Sequence, residues 1–219
     1  MFLVFVTLLL AMSEPLPNDE HVPTRVWILD MLRSLAIAYF LIVLPINILL
    51  FRSFLVEGES MLPNFHNREL LIINQLGYQS QAVLNIFSFF QTELFPLPTW
   101  NEFSRLDTVV FRYPRDPSTH FVKRVIGLPG ETVSIVESKI RIVNAQHPEG
   151  MVLDESAYLP GVVYMRDMAP VVLGADQYFV MGDNRDHSND SRIFGPVDRR
   201  YMTGRVAFRV LPPWQFTKY

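Results

Sequence analysis

A strongly apolar run without a charge constrains the fold of this chain most. Residues 34–51 read SLAIAYFLIVLPINILLF, 18 residues without a charge between Arg33 and Arg52. As a helix this stretch would be roughly 27 Å long, enough to cross most of a hydrocarbon core. Pro45 and Asn47 would weaken a soluble helix, whereas proline is tolerated in a membrane helix. We therefore predict a transmembrane helix over residues 34–52, with a buried core helix as the alternative.

The residues before this stretch divide into two parts. Residues 1–12, MFLVFVTLLLAM, are apolar but short for a span, and they lack the basic start of a signal peptide. A short second anchor, an interfacial segment and a misassigned start codon are the alternatives. Residues 13–25 are polar and rich in proline, which is typical of a linker. The predicted organisation is an N-terminal segment and linker over 1–33, the membrane helix over 34–52, and a β-rich domain over 53–219.

Composition excludes several classes of function. The net charge is −3, so no basic excess indicates a nucleic-acid partner. The chain has no cysteine, which excludes disulfides, thiolate metal sites and a cysteine nucleophile. The apolar fraction of 49% is high for a soluble protein and agrees with a membrane contact.

The residues after the membrane stretch favour a mainly β domain. Short runs rich in β-branched and aromatic residues alternate with turns that contain glycine or proline, a pattern typical of many short strands. The predicted strands are 69–74, 107–113, 119–126, a hairpin over 131–144, 177–181 and 202–210. Residues 147–170 are expected to connect them with little regular structure. The aromatic stretch 81–100 has no clean period and is expected to be either a loop over the core or an apolar lip at a bilayer surface.

One lysine stands out within the predicted strand 119–126. Alternation places Lys123 on the face of Phe121 and Val125, with Arg124 on the opposite face. The chain has only three lysines against sixteen arginines, so a lysine on an apolar face is unusual for it. Lysine can lose its proton when it is desolvated, whereas arginine stays charged. The pattern therefore indicates a lysine base, and a lysine that snorkels to the surface is the alternative.

Residues 182–192, GDNRDHSNDSR, form a second polar feature. This loop lacks the spacing of a calcium loop and contains a single histidine, so we predict no metal and no cofactor. Such a loop can hold a neighbouring catalytic group by hydrogen bonds. None of the five histidines lies in a recognisable triad setting. A serine nucleophile would then need another base, and a neutral lysine meets that need.

Four stretches in this order resemble the bacterial type I signal peptidase (leader peptidase) family. They are ESMLP at 59–63 after the apolar run, RLDTVVFRYP at 105–114, FVKRVIGLPGE at 121–131 and GDNRDHSNDSRIFGPV at 182–197. The resemblance implies a mainly β, membrane-anchored domain related to self-cleaving repressors, with its active site outside the cytoplasm at the cell membrane. It also implies a single-pass enzyme whose partners are the signal peptides of exported preproteins and membrane lipid. Cleavage would follow small residues at the first and third positions before the bond.

The resemblance also assigns roles to residues. Ser60 would be the nucleophile and Lys123 the general base, with Ser188 hydrogen-bonded to the lysine. The supporting residues would be Arg124, Asp183, Asp190 and Arg192, and the substrate pockets would be lined by Phe54, Val56, Met61, Phe121 and Val122. Some relatives add a serine hydroxyl two residues before the nucleophile to the oxyanion site, but this chain has Gly58 there. Leu106 and His187 also depart from the family pattern, and we expect neither to touch the dyad.

Two rival functions remain at this stage. A self-cleaving repressor shares the Ser–Lys chemistry but would need a DNA-binding helical domain where this chain has its apolar run. A membrane-anchored binder that retains signal peptides without cutting them is the other rival. The intact Ser60 and Lys123 favour the peptidase.

Overall fold

The structure is a computed structural model of the 219-residue chain. It describes residues 24–44, 51–75, 78, 81–85, 91–96, 101–159, 161, 163–211 and 217–218. The chain divides into two compact units, Met1–Pro45 and Ile46–Tyr219.

The first unit contains one helix in its described part. Helix α1 covers Thr24–Ala38 and continues as a π-helical segment over Tyr39–Val43. The predicted bounds of 34–52 are therefore wrong: the helix begins ten residues earlier, within the predicted linker, and Phe51 and Arg52 belong to a strand. Among the described residues, no helix is both long enough and apolar enough to cross a membrane. Residues 1–23 and 45–50 lie outside the described residues, so the predictions for 1–12 stay predictions.

The second unit is mainly β, as predicted. Its main sheet contains β1 (Phe51–Leu55), β2 (Leu70–Asn74), β5 (Thr108–Tyr113), β6 (Asp116–Gly127), β11 (Gln177–Met181), β12 (Val197–Asp198) and β13 (Met202–Leu211). The strand order is β1-β2-β13-β5-β6-β11-β12, and the short β14 (Thr217–Lys218) pairs with β13. All pairings are antiparallel.

A second sheet has the order β10-β7-β8-β9. It is formed by β7 (Thr132–Val136), β8 (Lys139–Val143), β9 (Met151–Val152) and β10 (Met168–Val172). Glu137 and Ser138 connect β7 to β8 with positive φ angles of 50° and 64°, so the hairpin predicted over 131–144 turns tightly at these two residues. Residues 147–170, predicted as an irregular connector, supply β9 and the start of β10.

The aromatic stretch forms a small hairpin of its own. Strand β3 (Gln81–Asn85) pairs antiparallel with β4 (Gln91–Pro96). Neither strand was predicted from the sequence, because the crowded aromatic residues hide any alternation. Residues 86–90 and 97–100 lie outside the described residues.

The strand register brings the conspicuous polar residues together. In β5 and β6, Val109 pairs with Lys123 and Thr108 with Arg124. In β11 and β6, Met181 pairs with Arg124, so the chain leaves β11 beside the lysine. Apolar clusters pack against these strands, and the one that includes residues next to Ser60 contains Val56, Met61, Phe65, Leu71, Ile73, Val110 and Val206. The main sheet therefore forms a rigid support for one polar region.

Between β11 and β13 the chain also forms two short 3₁₀ turns and one short helix. A 3₁₀ turn covers Arg185–His187, helix α2 covers Ser191–Phe194, and a second 3₁₀ turn covers Arg199–Tyr201. The Asp190 side chain caps α2 by accepting from the Arg192 amide. The polar loop predicted over 182–192 thus has local regular structure.

Candidate active site

Ser60 lies in the turn that connects β1 to β2. The turn is held by backbone hydrogen bonds within itself, including Phe65 N–H to Met61 O at 2.9 Å and Leu62 N–H to Glu59 O at 3.2 Å. Gly58 has φ +97°, a left-handed conformation that glycine adopts without a Cβ clash. The glycine therefore allows the sharp approach to Ser60, whose side chain is half-buried.

Lys123 meets this turn from strand β6. Its Nζ donates to Ser60 Oγ at 2.5 Å and to the Val122 carbonyl at 2.9 Å. The lysine is only 3% exposed, and Nζ lies 5.3 Å from the ring centre of Phe121. Burial lowers the Lys123 pKa to about 8, although the negative charges of Asp190 and Asp183 oppose the shift. An amine with this pKa is partly neutral near physiological pH and can accept a proton.

The loop after β11 packs directly against the serine turn. The Asn184 amide donates to Ser60 O at 3.0 Å, and its side chain donates to Glu59 O at 3.1 Å. Gly182 has no room for a side chain, since an added Cβ would lie 2.2 Å from Ser188 Oγ and 2.4 Å from Ser60 O. A glycine is therefore required for this close approach.

Arg124 and Asp183 form a buried ion pair beside the lysine. Arg124 Nε and Nη2 donate to the two carboxylate oxygens of Asp183 at 2.8 and 2.7 Å. Arg124 Nη1 donates to Leu106 O at 2.8 Å, and the guanidinium lies 4.2 Å from the ring centre of Tyr158. A planar two-point contact of this kind fixes orientation as well as charge. It connects strand β6 to the polar loop.

Leu106 contributes to this ion pair. Its carbonyl accepts from Arg124 Nη1, and no hydrogen bond joins Leu106 to Ser60 or Lys123 among the described residues. Its φ of +70° lies in the left-handed region that favours glycine, the residue usual at this position in the resembling family. The backbone geometry expected of a glycine is therefore kept by a leucine.

Asp190 is a second buried carboxylate, fully inaccessible to solvent. It accepts from Arg192 Nε and Nη2, each at 2.8 Å, and from the Gly182 amide at 3.0 Å. Burial raises the Asp190 pKa, but these donors outweigh burial and hold the pKa below its usual value. The predicted supporting residues thus lie together, and they brace the loop rather than contact the serine.

Ser188 does not form the hydrogen bond that we predicted. Lys123 Nζ donates to Ser60 Oγ and to the Val122 carbonyl, and no hydrogen bond joins it to Ser188. The Ser188 side chain is buried next to Gly182, close to Ser60, and its hydroxyl helps to lower the pKa of Asp190. The residue is therefore at the site, but it is directed to Asp190 rather than to the lysine.

A cleft of about 480 Å³ opens beside Ser60 and Lys123. Four of the five predicted pocket residues line it: Phe54, Val56, Phe121 and Val122. The fifth prediction is wrong, because Met61 points into the core and is 1% exposed. His187 and His120 also line the cleft, and neither was predicted to do so. Burial lowers the pKa of His120, and the nearby charges of Arg52 and Arg112 lower it further.

Sequence reasoning missed several residues of the support. Asn64 donates from one side-chain nitrogen to Tyr158 O and to Asp183 Oδ2, both at 2.8 Å. Arg185 pairs with Glu155 and donates to Gly182 O at 3.0 Å. Glu155 and Tyr158 belong to the stretch that we predicted to be a plain connector. The partners are far apart in sequence, so no local pattern could have found them.

This arrangement sets a serine hydroxyl beside a buried amine in an open, largely apolar cleft on a β scaffold. It is the arrangement expected of a hydrolase that uses serine as nucleophile and an amine as base. Within the described residues, no cluster of histidine and carboxylate side chains could hold a metal ion.

Comparison with known proteins identifies the family. The family model described as signal peptidase, peptidase S26, matches residues 28–211. Signal peptidase I of Bacillus amyloliquefaciens is 32% identical over 89% of this chain and 94% of its own length. Signal peptidase I S of Bacillus subtilis (strain 168) is 32% identical over 89% of this chain and 95% of its own length. Signal peptidase I of Pseudomonas aeruginosa is 30% identical over 76% of this chain and 68% of its own length.

A crystal structure of a signal peptidase I from Enterococcus faecalis V583 aligns over 48% of this chain and 97% of that chain, with 31% identity and a TM-score of 0.39. The sequence matches carry the assignment. The chain belongs to the signal peptidase family, peptidase S26, and is a serine endopeptidase of the signal peptidase I type. The resemblance drawn from the four sequence stretches is confirmed.

Proposed function

We propose that this chain removes N-terminal signal peptides from exported preproteins, with Ser60 as nucleophile and Lys123 as general base. The observation that carries the proposal is the 2.5 Å contact between Lys123 Nζ and Ser60 Oγ, made by a lysine that is 3% exposed. The family membership supports the substrate class, and the contact supports the assignment of the two residues.

The proton transfers follow from this geometry. Neutral Lys123 takes the Ser60 proton as Oγ attacks the carbonyl carbon of the scissile bond. The resulting ammonium returns the proton to the leaving amine, which releases the mature protein. Lys123 then takes a proton from the water that attacks the acyl-enzyme and gives it to Ser60 Oγ as the bond between Oγ and the acyl carbon breaks. The signal peptide leaves with a new C-terminal carboxyl group, the serine and the neutral lysine are restored, and no step uses a metal or cofactor.

The developing oxyanion needs preorganised donors. Within the described residues, the Ser60 amide donates no hydrogen bond, which leaves it available as one donor. The Gly58 amide is directed to Asn67 Oδ1 at 3.3 Å, so Gly58 does not replace the hydroxyl that some relatives have at its position. A backbone group elsewhere or a water supplies the second donor.

The cleft supports selection of small residues near the cut. Aromatic and branched side chains from β1 and β6 line it, and walls of this kind exclude large substrate side chains by clash. Strand β1 is the terminal strand of the sheet among the described residues, so its outer edge, close to Ser60, offers a place where an extended substrate can pair.

Membrane anchoring is the second part of the proposal. The uncharged run 34–51 supports an anchor, and its described residues carry exposed apolar side chains, such as Leu35, Phe40, Leu41 and Ile42. Residues 53–219 would then act at the outer face of the cell membrane, where lipid and the signal peptide are its partners. No feature favours the silent binder, since a binder has no need of a buried amine beside the serine.

The test is cleavage of a preprotein with alanine at the first and third positions before the bond. Wild type, Ser60→Ala, Lys123→Ala and Lys123→Arg are assayed in lipid or detergent, and mass spectrometry gives the cut site. We expect cutting after the alanine by wild type only, with each variant slower by about 10³-fold or more. Lys123→Arg is the sharp control, because it keeps the charge but cannot become a neutral base. Substantial cleavage by any of the three variants would overturn the dyad, and protection of the substrate by wild type would favour the binder.

A further inference from the structure

We infer that Asn64 is a positioning residue that holds the serine turn in register with the lysine strand. The inference rests on the proposed Ser60–Lys123 dyad and adds Asn64 as a residue that sets the position of the serine. Asn64 lies four residues after Ser60, in the same turn.

Asn64 joins the turn to three separate segments. Its side-chain nitrogen donates to Tyr158 O and to Asp183 Oδ2, each at 2.8 Å. Its carbonyl accepts from Arg209 Nη1 of strand β13 at 2.9 Å. Each partner is more than 90 residues away in sequence, so these bonds fix tertiary placement rather than local turn geometry.

The contact with Asp183 continues to the lysine. Asp183 also accepts from Arg124, at 2.8 Å on Oδ1 and at 2.7 Å on Oδ2, the oxygen that Asn64 contacts, and Arg124 directly follows Lys123 in β6. A series of contacts therefore connects the turn of Ser60 through Asn64, Asp183 and Arg124 to the backbone of Lys123. Asp183, Arg124 and Lys123 are each at most 8% exposed, so water does not compete for these hydrogen bonds.

A second pair of hydrogen bonds also connects the serine turn to the polar loop. The residue after Asp183, Asn184, donates to the carbonyls of Ser60 and Glu59. The turn is thus bound to the polar loop at two points, one before and one after Met61. Asn64 is the point that also reaches the lysine strand. Because the Ser60–Lys123 contact is short, a shift of about 1 Å in the turn would reduce proton transfer steeply.

The test compares Asn64→Ala and Asn64→Asp with Asn144→Ala as a matched control. Asn144 also uses its side chain in several hydrogen bonds, one of them to Glu131 at 2.8 Å, but it lies in the second sheet's hairpin region away from the cleft. Cleavage rates, KM and Tm are measured for each full-length variant, on the plateau of wild-type activity. Asn64→Asp keeps the shape of the side chain but replaces the donor by an acceptor that faces Asp183.

We expect both Asn64 variants to lose about 10- to 100-fold in kcat with KM within about threefold of wild type. Asn144→Ala should lower Tm by a similar amount and keep kcat within about twofold. The positioning role is overturned if Asn64→Ala loses no more kcat than Asn144→Ala at equal loss of Tm, or if Asn64→Asp keeps wild-type kcat. Ser60→Ala and Lys123→Ala run in parallel separate the two claims: if they are inactive while Asn64→Ala is normal, only the positioning role fails, and if either is active, the dyad itself fails.

Discussion

Lys123 combines two properties that oppose each other in a protein's energetics. It is buried, which penalises its charged form, and it lies near two carboxylates, which favour that form. Burial is the larger effect, so the folded pKa is about 8 against an ordinary 10.5. A displacement of this size corresponds to about 3 kcal/mol of unfavourable free energy when the lysine is protonated in the unfolded chain. The fold therefore gives up stability to keep this amine buried.

Lys123→Met tests this cost. The unfolded lysine binds a proton up to pH 10.5, whereas the folded lysine releases it above about 8, so the penalty is complete below pH 8 and fades as pH rises towards 10.5. Methionine fills similar space without a charge, so the variant should be more stable than wild type at pH 7 by about 1–3 kcal/mol. Denaturant unfolding across pH 6 to 10 measures the difference. An advantage that does not shrink above pH 8, or no advantage at all, would contradict the penalty.

The polar loop 182–192 is the element that assembles the site. It leaves β11 beside Arg124, turns at Gly182, and carries Asp183, Ser188 and Asp190 into the region between the serine turn and the lysine strand. Its two buried carboxylates are each satisfied by an arginine, and its backbone binds that of the serine turn. The loop is therefore a tightly packed support despite its polar composition.

Gly182→Ala should disturb this element selectively. The new Cβ would meet the Ser60 carbonyl at 2.4 Å and Ser188 Oγ at 2.2 Å, so the serine turn must move away. We expect a loss of at least about 100-fold in kcat. Gly204→Ala is the matched control, because its Cβ would meet the Asn74 carbonyl at 2.3 Å in the sheet. If both variants lose the same activity at the same loss of Tm, the effect of Gly182→Ala is general destabilisation.

Sequence alone gave the elements whose signals are local. Residues Gln177–Met181 form a strand with the predicted bounds. The hairpin predicted over 131–144 is also present, with its turn at Glu137 and Ser138. The helix that begins at Thr24 was missed, because residues 13–25 are polar and rich in proline, which is typical of a linker. Leu106 has a glycine-like φ that its identity does not reveal.

For the candidate site as well, the sequence indicated which residues belong to it but not how they are arranged. Ser60 and Lys123 were named from motifs, but the sequence does not show that they lie 2.5 Å apart, since that distance depends on how β1, β6 and the polar loop pack. The family resemblance placed Met61 in a pocket, whereas the turn directs its side chain into the core. Asn64 contributes through a partner 119 residues away, and such a contact has no signature in a single chain.

At the scale of the whole molecule, the chain combines a catalytic β unit with an apolar N-terminal unit. The catalytic unit contains all the site residues, from Phe54 to Arg192, on a sheet whose register sets their spacing. The first unit exposes large apolar side chains over the described part of its helical segment. Exposed apolar surface of this extent is typical of a segment that contacts lipid.

The proposed anchor predicts that charges placed in the helical segment weaken membrane binding but leave peptide cleavage intact. Leu41 and Ile42 are 56% and 58% exposed, so Leu41→Asp with Ile42→Asp should leave the catalytic unit folded. Each aspartate costs about 3 kcal/mol in a membrane helix centre, so the double variant should be released from vesicles while it still cleaves a soluble peptide. Val152→Asp, with a side chain that is 58% exposed on the second sheet, is the matched control and should remain bound. Vesicle flotation measures both; equal binding of the double variant and wild type would rule out an anchor in this segment.

The pKa of Lys123 in the folded protein tests the central claim most directly. The chain has only three lysines, so selective isotope labelling of lysine gives three side-chain NMR signals, and Lys123→Arg identifies one of them by its loss. We expect the Lys123 signal to titrate at about 8, in step with the acid limb of kcat. A Lys123 signal that titrates near the ordinary lysine value of 10.5, in an enzyme that is fully active at pH 8, would show that a neutral lysine is not the base.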